Sequence, residues 1–179
     1  QLRKKADQLQ SLVLLSQDIS GTRKFDEVLH TISREGLLLL SCRLSAFFLY
    51  DDKQDLLHLQ CLQDEKGLRD YEETLKPGDS LLGTALRGHR QVQTRDLLRT
   101  EEHHFMDLIR TENLISMLVT PVIFEDAPIG LLVHYIDSPH RFHDDEQMIA
   151  RALADLGAIA IENARLYSRV FDSEESMRK

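Results

Sequence analysis

Leu75-Lys76-Pro77-Gly78-Asp79-Ser80-Leu81-Leu82-Gly83-Thr84-Ala85-Leu86-Arg87-Gly88-His89-Arg90-Gln91-Val92-Gln93-Thr94-Arg95-Asp96 decides how this chain is read. Pro77-Gly78 is a turn signal, Gly83 opens a short apolar turn, and Gly88 stops it. A short strand, Gln91 to Thr94, then ends at Asp96.

On the N-terminal side, Leu2 to Ser20 reads as an amphipathic helix, with Leu2, Leu9, Leu12, Val13, Leu15 and Ile19 on a wide apolar face that stops at Gly21. A second helix is expected from about Phe25 to Leu40. Leu44–Tyr50 and Leu56–Leu62 read as two strands joined by the polar loop Asp51–Asp55. On the C-terminal side, Leu97–Leu114 is polar and helical in part. Met117–Phe124 and Ile129–Ile136 form a second hairpin about the turn Glu125-Asp126-Ala127-Pro128. The last helix starts near Asp144, where an acidic first turn suits the helix dipole. The order helices, hairpin, connection, hairpin, helix predicts an α+β fold: an antiparallel sheet with helices on one face.

The last helix carries a heptad-like seam. Ile149, Leu153, Leu156, Ala160, Asn163, Tyr167 and Val170 are spaced four and three in alternation. A helix running to about Phe171 is roughly 40 Å long at about 1.5 Å per residue, so its end should protrude and need a partner. The expectation is a homodimer whose long N- and C-terminal helices form a bundle. The alternative is a monomer with the two helices packed in cis. Asn163 either fixes register on the seam or caps a local backbone group.

The chain has 179 residues, 42% of them apolar, which supports one domain with a real core and excludes bulk disorder. A net charge of −8 argues against nucleic-acid binding. No apolar run approaches the roughly 18 residues that span a bilayer, so no membrane contact and a cytoplasmic location are expected. Cys42 and Cys61 give no disulfide framework and read as buried small hydrophobes. The chain starts inside a helix and stops in a charged tail, and is expected to be a piece of a longer protein.

The grammar of residues 75–96 resembles the GAF domain, a small-molecule-sensing module of signalling proteins. Two further segments carry the resemblance: Ser116–Tyr135, and Phe142–Tyr167 with its Ala-Ile-x-Asn-Ala-x-Leu-Tyr ending. It covers roughly residues 25 to 168. The implied division is a signalling and dimerisation helix over 1–20, a GAF domain over 21–168, and a helical linker to an output domain over 169–179. The resemblance implies a sensor histidine kinase or a diguanylate cyclase as parent, and next an enhancer-binding transcription activator. It also implies a small pocket over one sheet face, closed by the 97–114 segment. Phe47, Leu49, Leu81, Phe105, Ile109, Met117, Val119, Leu132 and His134 are the candidate lining residues. A single sequence does not say which strand face they share.

Each chemistry within reach of such a pocket has its own residue test. Some GAF-fold proteins reduce free methionine sulfoxide with a set of pocket cysteines; only two cysteines occur here, so no enzymatic activity is expected of this segment. His103, His104 and His134 are weak candidates for a metal, for iron or for haem. Covalent bilin attachment needs a cysteine beside Glu102-His103-His104, which is absent. Phe142 and Asp145-Glu146 echo half of a cyclic-nucleotide pattern, but Tyr135-Ile136-Asp137 stands where an Asn-Lys pair should be. The ligand therefore stays unassigned, and a degenerate, ligand-free GAF domain acting as a dimerisation spacer remains the other reading.

Overall fold

The computed structural model describes residues 22–100 and 104–177. The expected helix over Leu2–Ser20, residue His103 and the side chain of Val170 lie outside the described residues. The elements are α1 (Thr22–Leu40), β1 (Leu44–Asp51), β2 (Leu56–Asp64), β3 (Gly67–Leu68), β4 (Thr74–Leu75), α2 (Leu81–Gly88), β5 (Val92–Thr94), a 3-10 turn (Leu97–Arg99), α3 (Met106–Thr111), β6 (Ser116–Phe124), β7 (Ala127–Ile136) and α4 (Asp144–Met177).

The strands form one antiparallel sheet in the order β3-β2-β1-β7-β6-β5, with β4 also paired to β2. Both hairpins have local causes. In the first, the Asp51 carboxylate accepts hydrogen bonds from the Lys53 and Gln54 N–H groups at 3.0 and 3.3 Å, closing an Asx turn. In the second, Glu125 and Asp126 both have positive φ, as a two-residue type I′ turn requires. That turn is shorter than expected, because Ala127 and Pro128 already belong to β7. A bulge between Val122 and Ile123 follows at once, where Ile129 is the extra residue.

Helices cover both faces of the sheet, which corrects the expectation of one. The two long helices share a face. Phe25, Val28, Leu29, Ile32 and Leu40 of α1 lie at helical spacing and bury against Phe47, Cys61, Leu118 and Leu132. Ile149, Ala150, Leu153, Ala154, Leu156 and Ala158 of α4 join the same core. Gly157 makes the approach possible: a Cβ there would stand 2.7–2.8 Å from the Phe47 ring. The opposite face carries a second core of Leu44, Ala46, Phe48, Leu57, Met117, Val119, Leu131, Val133 and Tyr135, covered by α2, the 3-10 turn and α3. α2 lies on the stretch read as an apolar turn, whereas α3 lies on the 97–114 segment, read as polar, and still buries Leu108 and Ile109.

The α4 seam divides in two. Ile149, Leu153, Leu156 and Ala160 are 0–8% exposed and belong to the domain's own core. They are therefore not open to a second helix, because the sheet and α1 already occupy that side. Asn163 is half-buried, while Leu166 and Tyr167 lie past the sheet-packed stretch and are exposed. With 34 residues, α4 is about 51 Å long at about 1.5 Å per residue, so its distal turns extend beyond the sheet.

Candidate functional site

The site lies between the second sheet face and the chain from Tyr71 to Leu114. Its floor is set by register. A regular two-residue β6–β7 hairpin would pair Met117 with His134 and Val119 with Leu132. The extra residue at Ile129 advances the pairing, so Met117 opposes Tyr135 and Val119 opposes Val133. Leu131, Val133 and Tyr135 consequently face α2 and α3, while Leu132 and His134 face α1 and α4. On β1, Phe47 and Leu49 pair with Leu132 and Gly130 and share the α1–α4 face, and Phe48 faces α2 and α3.

Of the expected lining residues, Phe105, Ile109, Met117 and Val119 are buried on this face, and Leu81 is half-buried beside them. Phe47, Leu49, Leu132 and His134 are corrected to the other face. The residues that the sequence reading missed are Phe48, Tyr71, Glu73 and Tyr135. His104 was named only as a metal candidate.

The stretch from Pro77 to His89 builds one wall. Ser80 caps α2: its hydroxyl accepts from the Gly83 N–H at 3.4 Å and donates to the Pro77 carbonyl at 2.7 Å. A Cβ at residue 83 would collide with the Gly78 carbonyl, so the Pro77-Gly78 turn can fold back over α2 only when residue 83 is glycine. The helix is stopped not by Gly88 but by His89, which takes the left-handed conformation (φ 50°) and donates its N–H to the Ala85 carbonyl.

The lid over the floor is the segment from His104 to Leu114. Phe105 opens α3 in the left-handed region (φ 53°), a conformation that costs a side-chain-bearing residue on the order of 1–2 kcal/mol. Its ring is held on several sides. Phe48 stacks beneath it at 5.6 Å between centroids, the Tyr71 ring meets it edge-on at 5.3 Å, and Tyr135 lies at 6.3 Å. Its N–H donates to the Glu73 carboxylate at 3.3 Å. The second Glu73 oxygen is buried with no hydrogen-bond partner. Burial pushes the Glu73 carboxyl above the usual range, opposed by the Phe105 N–H and the nearby His104 ring. Burial likewise raises the Tyr71 phenol, and the carboxylates of Glu73 and Asp107 add to it. His104 is itself buried, with its Nε2 2.6 Å from the Tyr135 hydroxyl.

At its far end the lid is tied by charge. Glu112, the last-turn cap of α3, pairs with Arg43 and Arg69, each at 3.1 Å, and Arg69 also pairs with Asp64 at 3.0 Å. The two arginines hold the Glu112 carboxyl below its ordinary value. Before the 3-10 turn the chain is β5, and Gln93 of that strand and Gln91 just before it reach the start of α4. Gln93 donates to the Phe142 carbonyl at 3.2 Å and accepts from the Phe142 N–H at 2.8 Å. Gln91 donates to Thr120 and to the Gln147 carbonyl, and accepts from Arg151 at 2.6 Å. A groove of about 430 Å³ runs along this edge beside Arg90 and Asp155.

The other chemistries can be placed on this geometry. Cys42 and Cys61 both pack on the α1–α4 side, where burial raises both thiols, Cys42 to about 12. His104 and His134 lie on opposite sheet faces and cannot share an ion, and the described residues contain no cluster of metal-ligating side chains. Phe142 is core, and Glu146 accepts from the His143 N–H at 2.9 Å as a helix cap. No described helix is long and apolar enough to cross a membrane.

A family model for the GAF domain matches residues 22–162, and the chain belongs to this family. Solved structures repeat the fold. The GAF domain of a phosphoenolpyruvate-protein phosphotransferase from Coxiella burnetii is 18% identical, with a TM-score of 0.75 over 92% of this chain and 96% of that one. A free methionine-R-sulfoxide reductase from Neisseria meningitidis, solved with its substrate, is 18% identical, with a TM-score of 0.70 over 88% of each chain. A domain of a putative two-component sensor histidine kinase from Sinorhizobium meliloti 1021 is 19% identical, with a TM-score of 0.58 over 80% of this chain and 94% of that one. At these identities the likeness speaks to the fold. A search of curated proteins returns no match.

Proposed function

We propose that this chain is a cytoplasmic GAF sensor domain that binds a small molecule between the β1-β7-β6 face and the His104–Leu114 lid. On this reading it has no enzymatic activity of its own. It relays occupancy through α4 to an output domain, that of a histidine kinase or a diguanylate cyclase, and it works as a homodimer joined through its terminal helices. The observation that carries the reading is Phe105. A large aromatic side chain on a lid is inserted into a ring-lined recess in a strained backbone conformation, beside a half-satisfied buried carboxylate. A ligand that takes the ring's place would favour a different lid position, which is a population shift between two packings. Gln91 and Gln93, at the start of β5 and within it, give that shift a mechanical route into the base of α4.

The spacer reading draws on the same ring: if Phe105 fills the recess permanently, the domain needs no ligand. Native mass spectrometry of gently purified protein separates the two, because it reports subunit number and bound mass together. A dimer carrying a discrete small-molecule mass is expected. A dimer that stays bare after purification and after metabolite-extract soaking would favour the spacer, and a monomer would end the relay through paired helices.

A further inference from the structure

Phe105 indicates what kind of ligand the recess suits. Its side chain and its backbone together present two features to the site: a flat ring and an N–H donor. The ring lies on Phe48 at an interplanar angle of 26° and meets Tyr71 edge-on at 84°. The N–H points at one oxygen of Glu73, and the other oxygen of that carboxylate has no partner although it is buried. A buried carboxylate oxygen without a donor is costly, and a donor carrying positive charge satisfies it best. Asp107 adds a second negative charge near Tyr71, opposite in sign to the influence of the His104 ring on Glu73. Electron-rich ring faces, from Phe48, Tyr71 and Tyr135, also favour a cation over a neutral or anionic group.

We propose that the recess binds a small aromatic cation, an arylalkylammonium or a protonated nitrogen heterocycle. Its ring replaces that of Phe105 on Phe48, and its charged N–H group engages the second oxygen of Glu73. This rests on the lid face being the ligand site, and it adds the ligand's shape and charge. An anionic ligand would meet Glu73 and Asp107, and a neutral donor would hydrogen-bond the second oxygen of Glu73 without answering its charge.

The test compares three probes of nearly one shape on the whole chain: phenethylammonium, phenethyl alcohol and phenylacetate. Methyl-labelled protein is titrated and read by NMR, with Met117, Val119, Leu131 and Val133 reporting the lid face and Leu118, Val122 and Leu132 the other. Phenethylammonium should shift the lid-face methyls and bind at least about tenfold more tightly than the alcohol. Glu73→Gln keeps an acceptor for the Phe105 N–H, so the variant should fold, and it should shrink that preference to about twofold or less. If the alcohol or phenylacetate binds the lid face as tightly as the cation, the charge assignment is wrong while the pocket stands. The assignment also fails if the preference survives Glu73→Gln. If none of the three moves a lid-face methyl, the ligand class is wrong, and the bound mass in the native spectrum still judges the pocket independently.

Discussion

His134 gives the sharpest quantitative expectation. It sits on β7 between Ser45 of β1 and Leu118 of β6, on the α1–α4 face. It is fully buried, and neither ring nitrogen has a hydrogen-bond partner. Gly36 of α1 lies against it so closely that a Cβ there would stand 2.5 Å from Nε2. Burial alone lowers the ring's pKa from 6.5 to about 3. The folded protein therefore holds the ring neutral, while the unfolded chain takes up a proton as the pH falls through 6.5. The associated stability is complete above about pH 6.5 and is lost progressively as the pH falls toward about 3. At pH ~5 the loss relative to pH ~7.5 is about 2 kcal/mol, and it depends almost wholly on the unfolded pKa as long as the folded value lies well below 5. Other groups titrate in the same range, so the test is a difference. Urea unfolding is followed by circular dichroism from pH ~7.5 to ~5 for the native chain and for His134→Leu, which removes both unpaired nitrogens at similar volume. At the upper pH the two should agree within about 1 kcal/mol. At the lower pH the native midpoint should fall by about 1 M urea more than that of the variant, for a slope near 2 kcal/mol per molar. Parallel pH curves for the two proteins would refute the reasoning, because they would mean that the folded state accommodates the imidazolium.

Three further expectations are checked by substitution, two from single contacts and one from the proposed dimer. Gly157→Ala should lower stability by about 1–3 kcal/mol in thermal melts, because the Cβ meets the Phe47 ring and outweighs a helix-propensity gain of about 1 kcal/mol; a stabilised variant would mean that the ring yields freely. Glu112→Gln should change global stability by less than about 1 kcal/mol, since Arg43 and Arg69 are partly solvated. It should nevertheless speed amide exchange at Leu108–Leu114 relative to β6, and unchanged protection there would remove the ion pairs as a lid latch. If the chain pairs through its terminal helices as proposed, Tyr167→Glu should yield monomers by light scattering, and a persistent dimer would show that the pairing does not use the distal α4 turns.

Much of the fold was legible because each element has a local cause. The apolar spacing of α1, the polar loop Asp51–Asp55 and the acidic first turn of α4 are written in consecutive residues, and they placed α1 to within three residues at its start and the first hairpin and the start of α4 within a residue or two. Half of the site was hidden for an equally local reason. β1 reads Leu-Ser-Ala-Phe-Phe-Leu and β7 reads Ile-Gly-Leu-Leu-Val-His-Tyr, apolar at nearly every position because both sheet faces are covered. Alternation, the usual guide to facing, is then erased. The bulge at Ile129 moves every β7 residue after it to the opposite face from the one a regular hairpin would assign. Glu73 was out of reach for another reason: it lies in a polar connection, and its importance comes only from the Phe105 backbone being brought onto it.

The two-sided sheet also bears on how a ligand could matter at a distance. The lid and α4 lie on opposite faces and touch different cores, so a ligand cannot act on α4 by direct contact. One link between them is the sheet edge. β5 leads through the 3-10 turn into the lid, and its neighbouring glutamines bond to Phe142 and Gln147 at the base of α4. Backbone groups bonded by side-chain amides at 2.8–3.2 Å move together or lose the bond, and losing one inside a partly buried edge costs about 1–3 kcal/mol. A lid displacement that drags β5 therefore either shifts the start of α4 or breaks these bonds, and the first is favoured when the helix has a second packing within that range. The energy available is bounded by the ligand's preference for the open lid over the closed one: about tenfold in affinity supplies about 1.4 kcal/mol, the scale of one such bond. On the proposed reading, a weakly discriminating ligand would bind without moving the helix, and signalling would begin only when its preference for the open lid exceeds the strength of the glutamine links.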